Sequence, residues 1–279
     1  MVGEQGSDGG GAAELITAEL ITAGLTPVRA AYESSADSWA DGPHRMYRAL
    51  ADALIALAAV PLGGATVLDL GAGTGVAGQA ALAAGAREVV AADLAVGMLR
   101  WCPAELHPVA ADAIALPFRD GSFDLVLAAF SLSHLGSLAA GLAEVRRVGR
   151  AIAASSFAPG PAHPAKRAVD EVLRSFGYRP PAWYLTLKEE TEPAAGDPAW
   201  LTKQAAAAGF TDVQISSAAV QTGLSTPAEL ASWRLGMAHV APFVQSLDPA
   251  TAAALRAAAE GAFSAAEPLE LAITVLSAR

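Results

Sequence analysis

The sequence predicts an α/β fold: a doubly wound, mostly parallel seven-stranded sheet with an added helical lid. Three observations lead there. Between Thr66 and Phe157, short apolar runs alternate with segments of helical period. The first run feeds a glycine-rich turn, T-V-L-D-L-G-A-G-T-G (66–75), that opens a helix. Aspartates at 69, 93 and 112 then fall at the ends of successive strands, which puts them on one edge of a parallel sheet.

Composition narrows the function. A length of 279 residues suits one domain with insertions or a small cap. The net charge of −10 argues against nucleic acid, whose phosphates need a basic footprint. A small-molecule partner is expected instead, for a monomer or homodimer. The hydrophobic content of 53% rests largely on alanine, and no apolar run approaches the roughly 18 residues that cross a bilayer. The N-terminus carries Glu4, Asp8 and glycines rather than a basic region before an apolar core. With Cys102 the single cysteine, the reading is a cytoplasmic protein without internal disulfides or a cysteine-rich metal site. His44, His107 and His163 show no metal-ligand spacing, so no metal is expected.

In chain order, residues 1–25 read as a flexible segment, with a tandem A-E-L-I-T at 13–17 and 18–22. A helical region opens at Tyr32 and continues to about Ala59, where Pro61 and Gly63-Gly64 stop it. Strands follow at 66–70, 88–93, 107–111, 123–129 and 150–157. Helices are expected at 76–84, 96–101 and 138–147. Residues 26–157 thus form a core. Beyond it, 158–279 carries helices at 165–176, 198–208, 227–236, 239–246 and 249–262 between strands at 210–216 and 270–276. These insertions would sit over the ligand edge as a substrate lid.

The chemistry lies in the turn and the acids. Gly71-Ala72-Gly73-Thr74-Gly75 lets backbone approach a ligand with no side chain between them. Asp69 can accept from an ammonium group or brace the loop. Asp93 can accept from both hydroxyls of a ribose. Asp112 can accept from an adenine amino group while Ala113 N–H donates to the ring. Gly73-x-Gly75-x-x-Gly78 also fits a dinucleotide fingerprint, and glycine spacing alone does not separate the two readings.

The whole run resembles the class I S-adenosylmethionine-dependent methyltransferases, in the small-molecule branch that includes the ubiquinone and menaquinone methyltransferases. V-L-D-L-G-A-G-T-G (67–75) resembles their first motif, and V-V-A-A-D-L-A (89–95) their ribose strand. A-A-D-A-I-A-L-P-F-R-D-G-S-F-D-L-V-L-A-A-F (110–130) is similar to their adenine loop and fourth strand. The resemblance implies a Rossmann-like methyltransferase fold whose last strand is antiparallel. It implies S-adenosyl-L-methionine as cofactor and S-adenosyl-L-homocysteine as its product. Asp69, Gly71, Ala72, Gly73, Gly75, Asp93, Leu94, Met98, Asp112 and Ala113 are then cofactor residues, and Phe130 and Ser131 face the sulfonium. Tyr32 or Trp39 would close over it. The chain departs from the family in the turn before the fifth strand, where V-R-R-V-G-R (145–150) is shorter than usual.

His134 is the candidate catalytic base beside the transfer point. Trp183, Tyr184, Trp233, Met237 and His239 are candidates for an aromatic or polyketide-like acceptor site, or for lid core. Methyl transfer to oxygen, nitrogen or carbon is the expected activity. A non-methylating biosynthetic enzyme such as a cyclase, a cofactor-binding regulatory protein and a nicotinamide enzyme are the alternatives.

Overall fold

The computed structural model describes residues 27–263 and 268–279. The tandem pentapeptide and the whole of the segment 1–25 lie outside the described residues. Residues 27–41 are helical (α1), and a turn at Gly42 separates them from α2 (Pro43–Leu57). The region expected as one helix is therefore two. The break has a packing cause: a β-carbon at Gly42 would lie 2.3 Å from the Ser232 carbonyl oxygen, so only glycine lets the two backbones meet there.

β1 (Thr66–Leu70), β2 (Glu88–Asp93), β3 (Val109–Ala110), β4 (Leu125–Ala129) and β5 (Ile152–Phe157) alternate with α3 (Val76–Ala83), α4 (Val96–Leu99) and α5 (Leu138–Val148). With β6 (Gln214–Gln221) and β7 (Glu270–Ala278) they form one seven-stranded sheet of order β3-β2-β1-β4-β5-β7-β6. β7 is antiparallel to both of its neighbours and the other pairings are parallel.

Period-two alternation sends side chains to two cores. Val67, Leu125, Leu127 and Val275 pack on one face with Met46, Leu50 and Leu54 of α2. Leu68, Val126, Ile152 and Leu276 pack on the other with Leu142 and Val145 of α5. Leu50 and Leu54 are wholly buried. Burying a leucine is worth roughly 1.5–3 kcal/mol, so this helical stripe anchors α2 to the sheet.

Two segments differ from expectation. The sixth strand begins at Gln214, not Phe210. Phe210 N–H instead bonds back to Ala205 O, and Asp212 takes a left-handed φ of 48°, so the chain is still turning there. Residues 182–196, to which the sequence reading assigned no element, form α7 (Ala182–Thr186), a π-helical turn (Leu187–Thr191) and α8 (Glu192–Gly196).

The later helices start on strong signals. Asp197 caps α9 (Pro198–Ala207), and Thr226 with Glu229 forms a capping box on α10 (Pro227–Leu235). α6 (Pro164–Ser175), α11 (Ala241–Ser246) and α12 (Pro249–Gly261) each carry proline in the first turn, where its missing N–H is harmless. Val169, Leu173, Tyr178, Leu235 and Leu255 give this helical cap its own core. Met237 and Ala238 of the cap pack beside Trp39 and Ala36 of α1. No described helix is long and apolar enough to cross a membrane.

Candidate functional site

The main cleft lies at the carboxyl ends of the parallel strands, beside β1, where strand order reverses. It encloses about 1140 Å3 including its open mouth. Gly71, Gly73 and Gly75 take φ of 70°, 56° and 82°. Such left-handed backbone strains any residue with a β-carbon, but the three glycines face different surroundings. A β-carbon at Gly73 would meet only Met98 Cε, at 3.4 Å. One at Gly71 would strike Ser131 Cβ at 2.4 Å, and one at Gly75 would strike Leu106 Cδ1 at 2.7 Å and Cys102 Sγ at 2.8 Å. Gly71, Ala72 and Gly73 line the cleft, whereas Gly75 packs behind it.

The first two acids brace the loop from opposite sides. Asp93 accepts from Gly73 N–H at 2.7 Å and from Ala95 N–H at 2.8 Å. Burial raises its pKa, and these backbone bonds work the other way. Asp69 is 1% exposed. Its Oδ2 accepts from Gly78 N–H at 2.7 Å, while Oδ1 is buried with no partner among the described residues. Burial pushes its pKa up to about 7 against the Gly78 bond, with a smaller push from Asp93. Asp112 Oδ1 accepts from Ile114 N–H at 3.1 Å and so shapes the turn that brings Ala113 to the cleft. Leu94 and Met98 complete this wall.

This arrangement bears on the dinucleotide fingerprint. A pyrophosphate needs free loop amides at the start of α3. Here Gly73 N–H and Gly78 N–H already serve carboxylates, so an anion would lose those donors and meet Asp69 and Asp93. An ammonium group would instead satisfy the orphaned Asp69 oxygen. The residues present fit a cationic, ribose-bearing ligand.

Aromatic side chains cover the other end. Tyr32 and Trp39 descend from α1, with ring centroids 5.4 Å apart, and Trp39 stacks on Tyr47 of α2 at 5.0 Å. Tyr47 meets Phe130 edge-on at 5.5 Å, and Phe130 lies 4.6 Å from Phe157. Phe130 holds a φ of 58°, rare for a bulky residue, at the end of β4. Ser131 also lines the cleft, but its hydroxyl donates to Leu70 O at 2.7 Å and ties β4 to β1. His134 Nε2 lies 3.3 Å from the Tyr32 hydroxyl, across 102 residues of chain. Burial, helped by Lys188, lowers the His134 pKa to about 4.

The five candidate acceptor residues stand outside the cleft lining. Trp233 is 5% exposed and belongs to the main core with α2, because α10 crosses that helix. Met237 packs between the cap and α1. Trp183, Tyr184 and His239 form a cluster in which Tyr184 and His239 stack at 3.5 Å.

Sequence reasoning missed several contributors. Tyr47 is the single Tyr, Phe or Trp of α2, a signal available in the sequence. Thr74 lines the cleft and pairs with His44 Nδ1 at 2.9 Å, joining the loop to α2. Arg147, near the end of α5, donates to Leu116 O at 2.9 Å and Phe118 O at 2.7 Å and so pins the loop after Asp112.

Residues 68–151 match the family model described as a methyltransferase domain. The chain is 42% identical over 123 residues to a demethylmenaquinone methyltransferase of Beutenbergia cavernae, covering 43% of this chain and 49% of that relative. It is 34% identical over 170 residues to the demethylmenaquinone methyltransferase of Thermobifida fusca, covering 54% of this chain and 70% of that one. The match thus spans about half the length of the first relative. A solved structure from Anabaena variabilis, described as a methyltransferase from an antibiotic biosynthesis pathway, aligns at a TM-score of 0.56. That alignment has 18% identity and covers 81% of this chain and 95% of the other.

Proposed function

Because the chain belongs to the class I S-adenosylmethionine-dependent methyltransferases, we propose that it moves a methyl group from that cofactor to a small, oxygen-bearing ring of quinone or polyketide type. The observation that carries this reading is the cleft itself. Three aspartates and a glycine cradle at one end are continuous with an aromatic wall and His134 at the other.

In this reading Gly71 to Gly73 approach the methionine part, and Asp69 Oδ1 accepts from its ammonium. Asp93 accepts from the ribose hydroxyls, while Asp112 and Ala113 N–H address the adenine. Leu94 and Met98 pack against the nucleoside. Tyr32 and Trp39 cover the cleft and keep water out. S-adenosylmethionine supplies an electrophilic methyl on a sulfonium. The chain then has to align the acceptor with that carbon, which proximity and dehydration accomplish without a strong base. An acceptor that takes this methyl would give up a proton to solvent, with the neutral His134 beside the transfer point. With its pKa near 4, His134 is neutral at physiological pH and holds a proton only weakly, so solvent is the final destination.

Titration calorimetry against S-adenosylhomocysteine and NAD tests the cofactor. Binding of the first and not the second is expected, and the reverse would overturn the assignment. A gain of about fourteen mass units on the product would identify methyl transfer as the reaction.

A further inference from the structure

Behind the aromatic wall the cap holds a buried polar chain that the cleft does not use. Arg234 is 3% exposed and His239 5% exposed. Arg234 Nε donates to Asp170 Oδ1 at 2.7 Å, and Lys166 Nζ donates to the other Asp170 oxygen at 2.8 Å. A second guanidinium nitrogen lies 2.9 Å from His239 Nε2. A guanidinium has no lone pair to offer, so it is the donor and His239 Nε2 the acceptor. The imidazole proton is therefore fixed on Nδ1. Tyr184 lies flat against the ring, at 3.5 Å and an interplanar angle of 6°, and Tyr178 donates to the His239 carbonyl at 2.9 Å. Tautomer and ring plane are both set, a degree of fixing expected of a recognition group rather than of filler.

The fixed N–H has no partner among the described residues, and although His239 is only 5% exposed this nitrogen is not sealed from solvent. It stands near the aromatic end of the cleft without lining it. Ala238, next in the chain, packs with Trp39 beside Tyr32. The π-helical turn that follows Tyr184 packs on the Leu132–His134 turn.

We propose that His239 is a specificity-determining residue whose Nδ1–H donates to a carbonyl or hydroxyl oxygen on the acceptor ring, with Arg234 as the positioning residue that enforces this tautomer. The proposal rests on the methyl-transfer reading of the same site and narrows it. The acceptor carries a hydrogen-bond-accepting oxygen remote from the atom that receives the methyl, and a ring of the same shape without that oxygen binds less well.

Naphthoquinone, whose oxygens only accept, is the probe, with naphthalene as the control lacking oxygen. Both are titrated into the full chain saturated with S-adenosylhomocysteine. His239→Phe is expected to weaken naphthoquinone binding roughly five- to tenfold, the size of one hydrogen bond, and to leave naphthalene unchanged. His239→Gln, which can accept from Arg234 and still donate, should restore most of the affinity. If the phenylalanine variant fails to fold, long-range nitrogen–proton spectra of the wild type carry the test. A single Nδ1–H tautomer whose proton shifts on naphthoquinone addition supports the proposal. An Nε2–H tautomer, no shift, or equal losses for both probes overturns it. Failure of the wild type to bind S-adenosylhomocysteine would instead sink the methyl-transfer reading.

Discussion

Asp69 and Asp93 divide the work of the site at the residue scale. Asp93 has both oxygens engaged by loop amides, and each retains capacity to accept again. Asp93→Ala therefore removes ligand bonds and loosens Gly73 together. The dissociation constant for S-adenosylhomocysteine is expected to rise roughly 10- to 100-fold in calorimetry, the size of one or two charge-assisted bonds. Asp69 behaves differently because its folded pKa is near 7 against an ordinary 3.8. Between those values the folded chain keeps a proton that the unfolded chain has released. Its contribution is full below the lower value and is lost as pH rises through the upper one. Stability of the ligand-free protein should thus fall from pH 5 to pH 8 by an amount that Asp69→Asn removes, read as urea midpoints at the two pH values. The ligand's ammonium favours the ionised form, so S-adenosylhomocysteine affinity should run the opposite way, climbing through pH 7 in wild type and flat in the variant. His134, with its pKa near 4, should contribute no ionisation to the rate profile between about pH 5.5 and 8.

The turn after β1 is where one element both shapes the site and holds the fold. Gly64 and Gly75 share left-handed φ values of 75° and 82°, but a β-carbon at Gly64 would meet nothing within 4 Å. Gly64→Ala should cost about 1 kcal/mol through backbone strain alone. Gly75→Ala adds a clash with Leu106 and Cys102 and should cost about 2–4 kcal/mol by urea denaturation. The difference measures packing against the chain that follows α4. This element was legible because Val67, Leu68 and Leu70 make β1 apolar apart from Thr66 and Asp69 and its turn has to be glycine. Asp93 and Asp112 were legible because strand ends in a parallel sheet share an edge. The segment from α7 to α8 was not, since its short helices have no amphipathic stripe to announce them: α7 buries no residue. The start of β6 slid by four residues because Phe210 looks like strand while its backbone still turns. Tyr47 escaped notice because helical period places it beside a buried stripe, and only the fold shows that α2 crosses the carboxyl edge.

At the scale of the molecule, an ion pair between two of its own helices holds the cap together, and Met237 and Ala238 seat it on Trp39 of the core. Arg234 on α10 and Asp170 on α6 meet at 2.7 Å with side-chain exposures of 3% and 22%. Removing the carboxylate strands a guanidinium in an apolar cap, and breaking such a pair typically costs about 3–5 kcal/mol. Asp170→Ala should approach that figure. Asp120→Ala, which removes an acid 82% exposed from its pair with Arg147, should cost under about 1 kcal/mol. The pair also has a pH signature. Burial works to raise the Asp170 pKa, but Arg234 and Lys166 together outweigh it and hold the group below its ordinary value. The stability it contributes is present above that ordinary value and is lost as pH falls through the folded one. Wild type should therefore show an acid-induced loosening below about pH 4 that Asp170→Ala lacks, its cap being loosened already at neutral pH. Because β1, β2 and the glycine turn lie outside the cap, S-adenosylhomocysteine should still protect the variant against thermal unfolding. Acceptor turnover should fall by more than cofactor affinity does. Equal losses of both would mean that cap and cofactor core unfold as one cooperative unit, with the contact of Met237 and Ala238 on Trp39 as the coupling surface.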